Sequence, residues 1–402
     1  MTTIDDLHVV SSIELGPDDA PPSDLSDDES IGDDDASSVA SSAAMEDVAS
    51  LPDVEPPAED HSVQTLSAHT QPVFAVAVNS AQPQMLATGG GDDVAYLWHI
   101  GQPAPAYRLE GHADTISAVG FSADGTLLAS AGLDGVVRVW STANGALVAA
   151  LEGPTQGIAW LSWHTRGLVL LAGSEDATAW MWKLPEGTVM QIFSAHSASV
   201  SYGGFVNNGR AVVTASEDGT VRIWNPRTGT VDHCLQAGSA HEPRAITCLA
   251  THATQPVVLF GSDEGTVKLA HAESGRLLAQ LPAHEASVES AGFCETQQLA
   301  ATCGMDGRLC LWDLGTLSLR HACMHSAGVV ELRWLRQSPM LMTCAISRDL
   351  RLFDGRSGDC LQTLTGHCQP VLCFDIGYTA EGVYVVSGSD DHTARLWQPR
   401  LG

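Results

Sequence analysis

Apolar and polar residues alternate with a period of two in short runs along most of the chain, as in Val136-Val-Arg-Val-Trp140 and Val221-Arg-Ile-Trp224. Such runs predict strands with one buried face. Tight polar turns precede them, as in Leu133-Asp-Gly135 and Glu217-Asp-Gly219, so the strands join as hairpins. The runs end on large apolar anchors. Aligning Trp98, Trp140, Trp182, Trp224, Ala270, Trp312, Phe353 and Trp397 gives steps of 42, 42, 42, 46, 42, 41 and 44 residues. That spacing predicts eight copies of one all-β unit, each burying against its neighbours what it cannot bury alone.

Polar residues repeat in the same register. A His lies 28 to 30 residues before the anchor in seven of the eight units, a hydroxyl lies ten before it, and an Asp six before it. The complete sets are His69, Thr88, Asp92, Trp98; His112, Ser130, Asp134, Trp140; His196, Thr214, Asp218, Trp224; His284, Thr302, Asp306, Trp312; and His367, Ser387, Asp391, Trp397. A buried indole N–H, imidazole and carboxylate each cost kilocalories if unpaired, whereas a closed chain of hydrogen bonds satisfies them all. Ligands spread one set per repeat cannot converge on one centre, so these residues are read as structural, with no metal, cofactor or catalytic role. Three units are incomplete. The third has Gly153 for the His and Ala172 for the hydroxyl, the fifth has Phe260, Glu264 and Ala270 beside His241, and the seventh has Ser347 and Phe353 beside His325.

Seven units are followed by an outer strand, but only five residues follow Trp397. The missing strand has a double at the other end, where Val63-Gln-Thr-Leu66 precedes Ala68-His69 as Leu361-Gln-Thr-Leu364 precedes Gly366-His367. The N-terminal strand is therefore expected to complete the last sheet and close the ring, leaving no long unpaired edge there.

Composition changes sharply ahead of the repeats. Residues 1–60 hold 18 of the chain's 48 acidic residues and none of its 19 Lys and Arg, which predicts a disordered acidic tail over 1–61 before a folded region over 62–402. The formal net charge of −29 opposes direct nucleic-acid binding. Ser26 and Ser30, each with an acidic residue three positions on, could gain further negative charge by phosphorylation. Neither a secretory leader nor an apolar run long enough to span a membrane is present, so a soluble monomer in the cytoplasm, shared or not with the nucleus, is expected. The ten cysteines lie between Cys234 and Cys373 without Cys-x-x-Cys pairs and read as reduced packing residues.

With these motifs the stretch from about residue 62 to 402 resembles the WD-repeat family of β-propellers. A narrower likeness rests on Trp160-Leu-Ser-Trp163-His164, Leu170-Leu-Ala-Gly173 and Trp180-Met-Trp182-Lys183-Leu-Pro-Glu-Gly187. Glu217-Asp-Gly-Thr-Val-Arg-Ile-Trp224 and Leu319-Arg-His321 with Cys323, His325, Ser326 and Gly328 add to it. Here the chain is similar to the group containing the angio-associated migratory cell protein and its fungal ribosome-assembly relative, in which the third repeat also lacks its His. The resemblance implies a closed eight-bladed propeller acting as a chaperone for one basic large-subunit ribosomal protein, whose N-terminal segment it captures. It also leaves open a scaffold role in signalling or cell migration.

Propeller geometry places on one rim the residue before each turn Asp and the residues flanking the first apolar position of each inner strand. Glu175, Glu217, Asp263 and Glu289 then form an acidic arc, with Asp390 apart from it. Phe74, Leu133, Val330, Ile346 and Leu372 form an apolar one, and Met305 is a further rim position. A basic, partly apolar segment fits that face. Gly89-Gly-Gly91 falls at a hairpin without the helix a dinucleotide site requires, and no nucleophile–base set stands apart from the repeats, so an enzyme is not expected. Trp224-Asn-Pro-Arg227 and Phe353-Asp-Gly-Arg356 resemble a motif by which cullin-ligase substrate receptors dock, which keeps that role as an alternative.

Overall fold

The computed structural model describes residues 57, 59–238 and 244–401. These form eight four-stranded antiparallel sheets, the blades of one propeller. Among the described residues there is no α-helix. Blade one contains Val73–Val78, Met85–Gly90, Ala95–His99 and Tyr107–Leu109 from the channel outward. Blade seven contains Val329–Trp334, Met340–Ala345, Leu350–Asp354 and Cys360–Leu364 in the same order. The second strands Met85–Gly90, Leu127–Gly132 and Leu299–Gly304 are buried along their whole length, because blades cover both of their faces and strands cover both of their edges. Strict alternation therefore fades there into small apolar residues and glycine.

Each inner strand packs against the inner strand of the next blade, and that of blade eight packs against that of blade one, so the ring is closed. Blade eight takes Val371–Thr379, Gly382–Ser389 and Ala394–Trp397 from the C-terminus and Gln64–Leu66 from the N-terminal side. Gln64 pairs with Leu396 and Leu66 with Ala394, and Leu66 is buried in the cluster shared with blade one. Just before this strand, the His61 amide donates to the Thr365 carbonyl at 2.8 Å and Arg395 donates to Asp60. The acidic segment before it lies, through residue 56, outside the described residues.

Charged staples reinforce the closing seam. Glu331 accepts the Phe374 amide at 2.9 Å, joining blade seven to eight, and Asp375 accepts the Val78 amide at 2.8 Å, joining eight to one. Arg333 donates to both carboxylates, at 2.8 and 3.3 Å, and neutralises part of their charge. The blade-eight hairpin is longer than the others and reaches sideways. Its Tyr384 hydroxyl donates to the Pro83 carbonyl at 2.6 Å, and its Tyr378 oxygen accepts the Arg336 amide at 2.5 Å.

Candidate protein-binding face

In the five blades with complete sets, the His Nδ1 lies 2.8 to 3.1 Å from the Asp carboxylate. The Nε2 lies 2.7 to 2.8 Å from the hydroxyl, and the Trp indole lies 2.7 to 3.0 Å from that same hydroxyl. A carboxylate only accepts, so Nδ1 carries the proton, Nε2 accepts from the hydroxyl, and the hydroxyl accepts from the indole. Burial works against the charge of Asp218 and Asp391, but hydrogen bonds from their His and Thr partners outweigh it and hold both well below the usual carboxylate range. Burial also lowers His112, His284 and His367, keeping these rings neutral. Among the described residues, no group of three or more His, Cys, Asp or Glu is placed to hold a metal.

The incomplete blades each differ in kind. In blade three the large ring is Trp180, stacked on Trp182 at 6.0 Å and covering Gly153, where a Cβ would lie 2.6 Å from the indole. Asp176 still accepts the Thr155 amide at 2.8 Å, so the turn keeps its shape without the His. In blade seven the hydroxyl is present, since His325 Nε2 lies 3.0 Å from Thr343, but Ser347 turns to Asp349, which also accepts from Arg351 at 2.6 Å. His325 Nδ1 is buried without a partner among the described residues. Its ring is pushed down to about 4 by burial and by the Arg351 charge. His241 of blade five lies outside the described residues.

One rim is built the same way in all eight blades. The amide of the residue before the turn Asp or its equivalent donates to the carbonyl of the residue before the first buried apolar position of the inner segment, as from Glu175 to Gly157, Glu217 to Ser199, Asp263 to Ala245 and Ile346 to Gly328. This bond brings the two sets of sequence-selected positions onto one face. Leu133, Glu175, Glu217, Asp263, Met305, Ile346 and Asp390 are exposed there, as is Phe74, while Glu289, Val330 and Leu372 are half-buried. Glu175, Glu217, Asp263 and Glu289 come from four consecutive blades, and none of them, nor Asp390, is ion-paired among the described residues. Arg244 is paired to Glu264, the residue after Asp263.

A feature missed by the sequence reading is a β-bulge at the top of the inner strand in every blade except four. The register shifts between Val73 and Ala75, Val288 and Ser290, Val329 and Glu331, and Val371 and Cys373. A bulge leaves its extra residue unpaired and redirects the side chain. Its only sequence signal is the regular two-residue spacing of buried positions at each strand start.

The other channel mouth differs. A cavity of about 470 Å³ there is lined by Tyr202, Phe293, Glu331, Arg333, Trp334 and Asp375, whose carboxylates already serve the seam. The two strings resembling a ligase-docking motif form local turns, in which Asn225 accepts the Arg227 amide and Asp354 the Arg356 amide. Arg356 is further paired to Asp354 at 2.7 Å. All ten cysteines are free thiols, and burial pushes Cys248 and Cys310 up to about 12. No described helix is long and apolar enough to cross a membrane.

Comparison with known proteins agrees with this architecture. A Schizosaccharomyces pombe WD repeat-containing protein, itself uncharacterized, is 39% identical over 341 residues, covering 83% of this chain and 85% of its own length. The angio-associated migratory cell protein of Pongo abelii is 33% identical over 180 residues, and the alignment spans only 41% of each chain. Among solved structures, Saccharomyces cerevisiae Sqt1 superposes with a TM-score of 0.80 at 22% identity, covering 85% of this chain and 100% of that one. Chaetomium thermophilum Sqt1, solved bound to the N-terminus of the ribosomal protein L10, superposes with a TM-score of 0.78 at 23% identity, with the same coverage. At these identities the structural likeness establishes the fold alone. Residues 60–99, 104–141, 145–183, 187–225, 275–313 and 358–398 match the model of the WD domain, G-beta repeat, and the chain belongs to that family.

Proposed function

We propose that this propeller is a non-enzymatic chaperone that holds the basic N-terminal segment of an L10-type large-subunit ribosomal protein on its turn-bearing face during ribosome assembly. The observation that carries this reading is the run of exposed, unpaired carboxylates Glu175 and Glu217 with Asp263, on adjacent blades and next to Glu289. These carboxylates share one sign and have no ion-pair partner among the described residues, so a cationic segment meets no competing side chain on them. One solvated ion pair contributes about 1 kcal/mol or less, so several must act together, and salt must weaken them over a Debye length of about 8–10 Å. The Sqt1 fold seated on the N-terminus of L10 supports the choice of client. A chain of net charge −29 also favours encounter with basic proteins.

Affinity capture from cells followed by mass spectrometry tests the reading. One basic ribosomal protein should dominate the bound fraction and decline with salt. Recovery of a cullin adaptor that depends on Arg227 and Arg356 would favour the ligase-receptor role instead. Arg356 is already held by Asp354, which counts against that role.

A further inference from the structure

We infer that the same face carries a second subsite, an apolar one, and that the client segment must present an aromatic side chain beside its cations. This rests on the proposed function and adds to it. The bulge residues do different things in different blades. Ser117 and Thr247 use their hydroxyls to bond the next blade's carbonyl, at 2.5 Å to Ile158 and 2.6 Å to Val288, so their identity is explained by the ring itself. Phe74, Val330 and Leu372, on the consecutive blades seven, eight and one, have no polar atom to give a neighbour. Val330 packs against the core shared by blades seven and eight, whereas Phe74 and Leu372 join no core cluster among the described residues.

The turn positions extend the patch. The Ile346 amide donates to the Gly328 carbonyl on blade seven, two residues before Val330, and Met305 of blade six leans over Gly328, its sulfur 2.9 Å from where a Cβ would sit. Phe74 is 41% exposed, Met305 44% and Ile346 37%, on a rim whose blades three to five carry the exposed Glu175, Glu217 and Asp263 and whose blade eight carries Asp390. Apolar groups held in water beside a charged arc mark an interface, not a packing need. An aromatic side chain suits them best, because Phe74 offers a ring edge and Met305 a polarizable sulfur. The patch is continuous with the carboxylates through blade six, where Glu289 and Met305 share one blade. A single extended segment can therefore engage both.

Two short peptides with the same arginine run, differing only in whether phenylalanine or alanine follows it, separate the possibilities in fluorescence anisotropy titrations against the whole chain. The phenylalanine peptide should bind about tenfold tighter, and by the same factor at low and high salt, since burial is not screened. Phe74→Ser together with Ile346→Ser should abolish that preference while leaving the salt dependence intact. Both positions are exposed, so the fold should tolerate the change, and circular dichroism checks it. Equal binding of the two peptides, or a preference that survives the double substitution, overturns the apolar subsite and leaves the acidic-face reading standing. Binding of neither peptide overturns both.

Discussion

Blade seven offers a repair experiment. Ser347→Asp combined with Asp349→Thr would give its turn the combination that blade four already has in Asp218, Thr220 and Arg222, where Thr220 donates to Asp218 at 2.6 Å. The target is His325 Nδ1, buried and without a partner among the described residues. Giving a buried donor a charged acceptor is worth about 1.5–3 kcal/mol, so the variant should be more stable than the parent at neutral pH by that order. The pH dependence makes the test sharper. His325 has its folded pKa depressed to about 4, against about 6.5 in an unfolded chain. As pH falls below about 6.5 the unfolded state takes the proton first, so the parent loses up to about 3 kcal/mol from this ring by pH 4. A carboxylate at Nδ1 raises the folded pKa and removes part of that loss. The added carboxylate would itself have a depressed pKa, so its contribution persists until pH falls below about 4. The variant's advantage should therefore widen from pH 7 to pH 5. Denaturant unfolding at several pH values measures it, and hydrogen exchange over residues 340–354 localises it. No gain at pH 7, or a gain that does not change with pH, would refute the reasoning.

Three further predictions concern the frame. Gly153→Ala places a Cβ 2.6 Å from the Trp180 ring at a backbone φ of +146°, and should cost about 2–3 kcal/mol, read as a lowered thermal midpoint. Asp375→Ala removes the acceptor of the Val78 amide and a counter-ion of Arg333, and should cost about 2–4 kcal/mol, with faster hydrogen exchange at the blade eight and one seam. Deleting residues up to Leu66 strips the outer strand from blade eight and should produce aggregation, whereas deleting only residues 1–56 should leave the thermal midpoint unchanged.

The repeat was legible because burial forces each blade to re-use the same solution: an anchor indole, a hydroxyl to receive its N–H, and a His–Asp pair behind it. The closing strand was legible for the same reason, since Val63 to Leu66 copies Leu361 to Leu364. What could not be read were the contacts between blades. Glu331 and Asp375 look like ordinary strand carboxylates until the ring brings the Phe374 and Val78 amides against them. Trp180 over Gly153 is hidden in the same way, because the ring fills the space of an absent His from a different position in the repeat. The carboxylate of the blade-seven turn, Asp349, lies two residues past the register, where it accepts from Ser347 and Arg351 and leaves His325 Nδ1 without its usual acceptor. The rim positions followed from the turn register, but Ser117 and Phe74 occupy the same bulge in different blades, and that Ser117 bonds the Ile158 carbonyl while Phe74 stands exposed shows only once the blades are packed.

The central claim is that carboxylates on the turn-bearing face receive a cationic segment. Its most direct test is the salt dependence of the affinity for a synthetic L10-type N-terminal peptide, measured for the parent chain and for Glu175→Lys, Glu217→Lys and Asp263→Lys combined. The account predicts affinity that falls steeply with salt in the parent, and a loss of at least about a hundredfold with a flattened slope in the variant. Unchanged affinity and an unchanged slope after reversal of all three charges would contradict it.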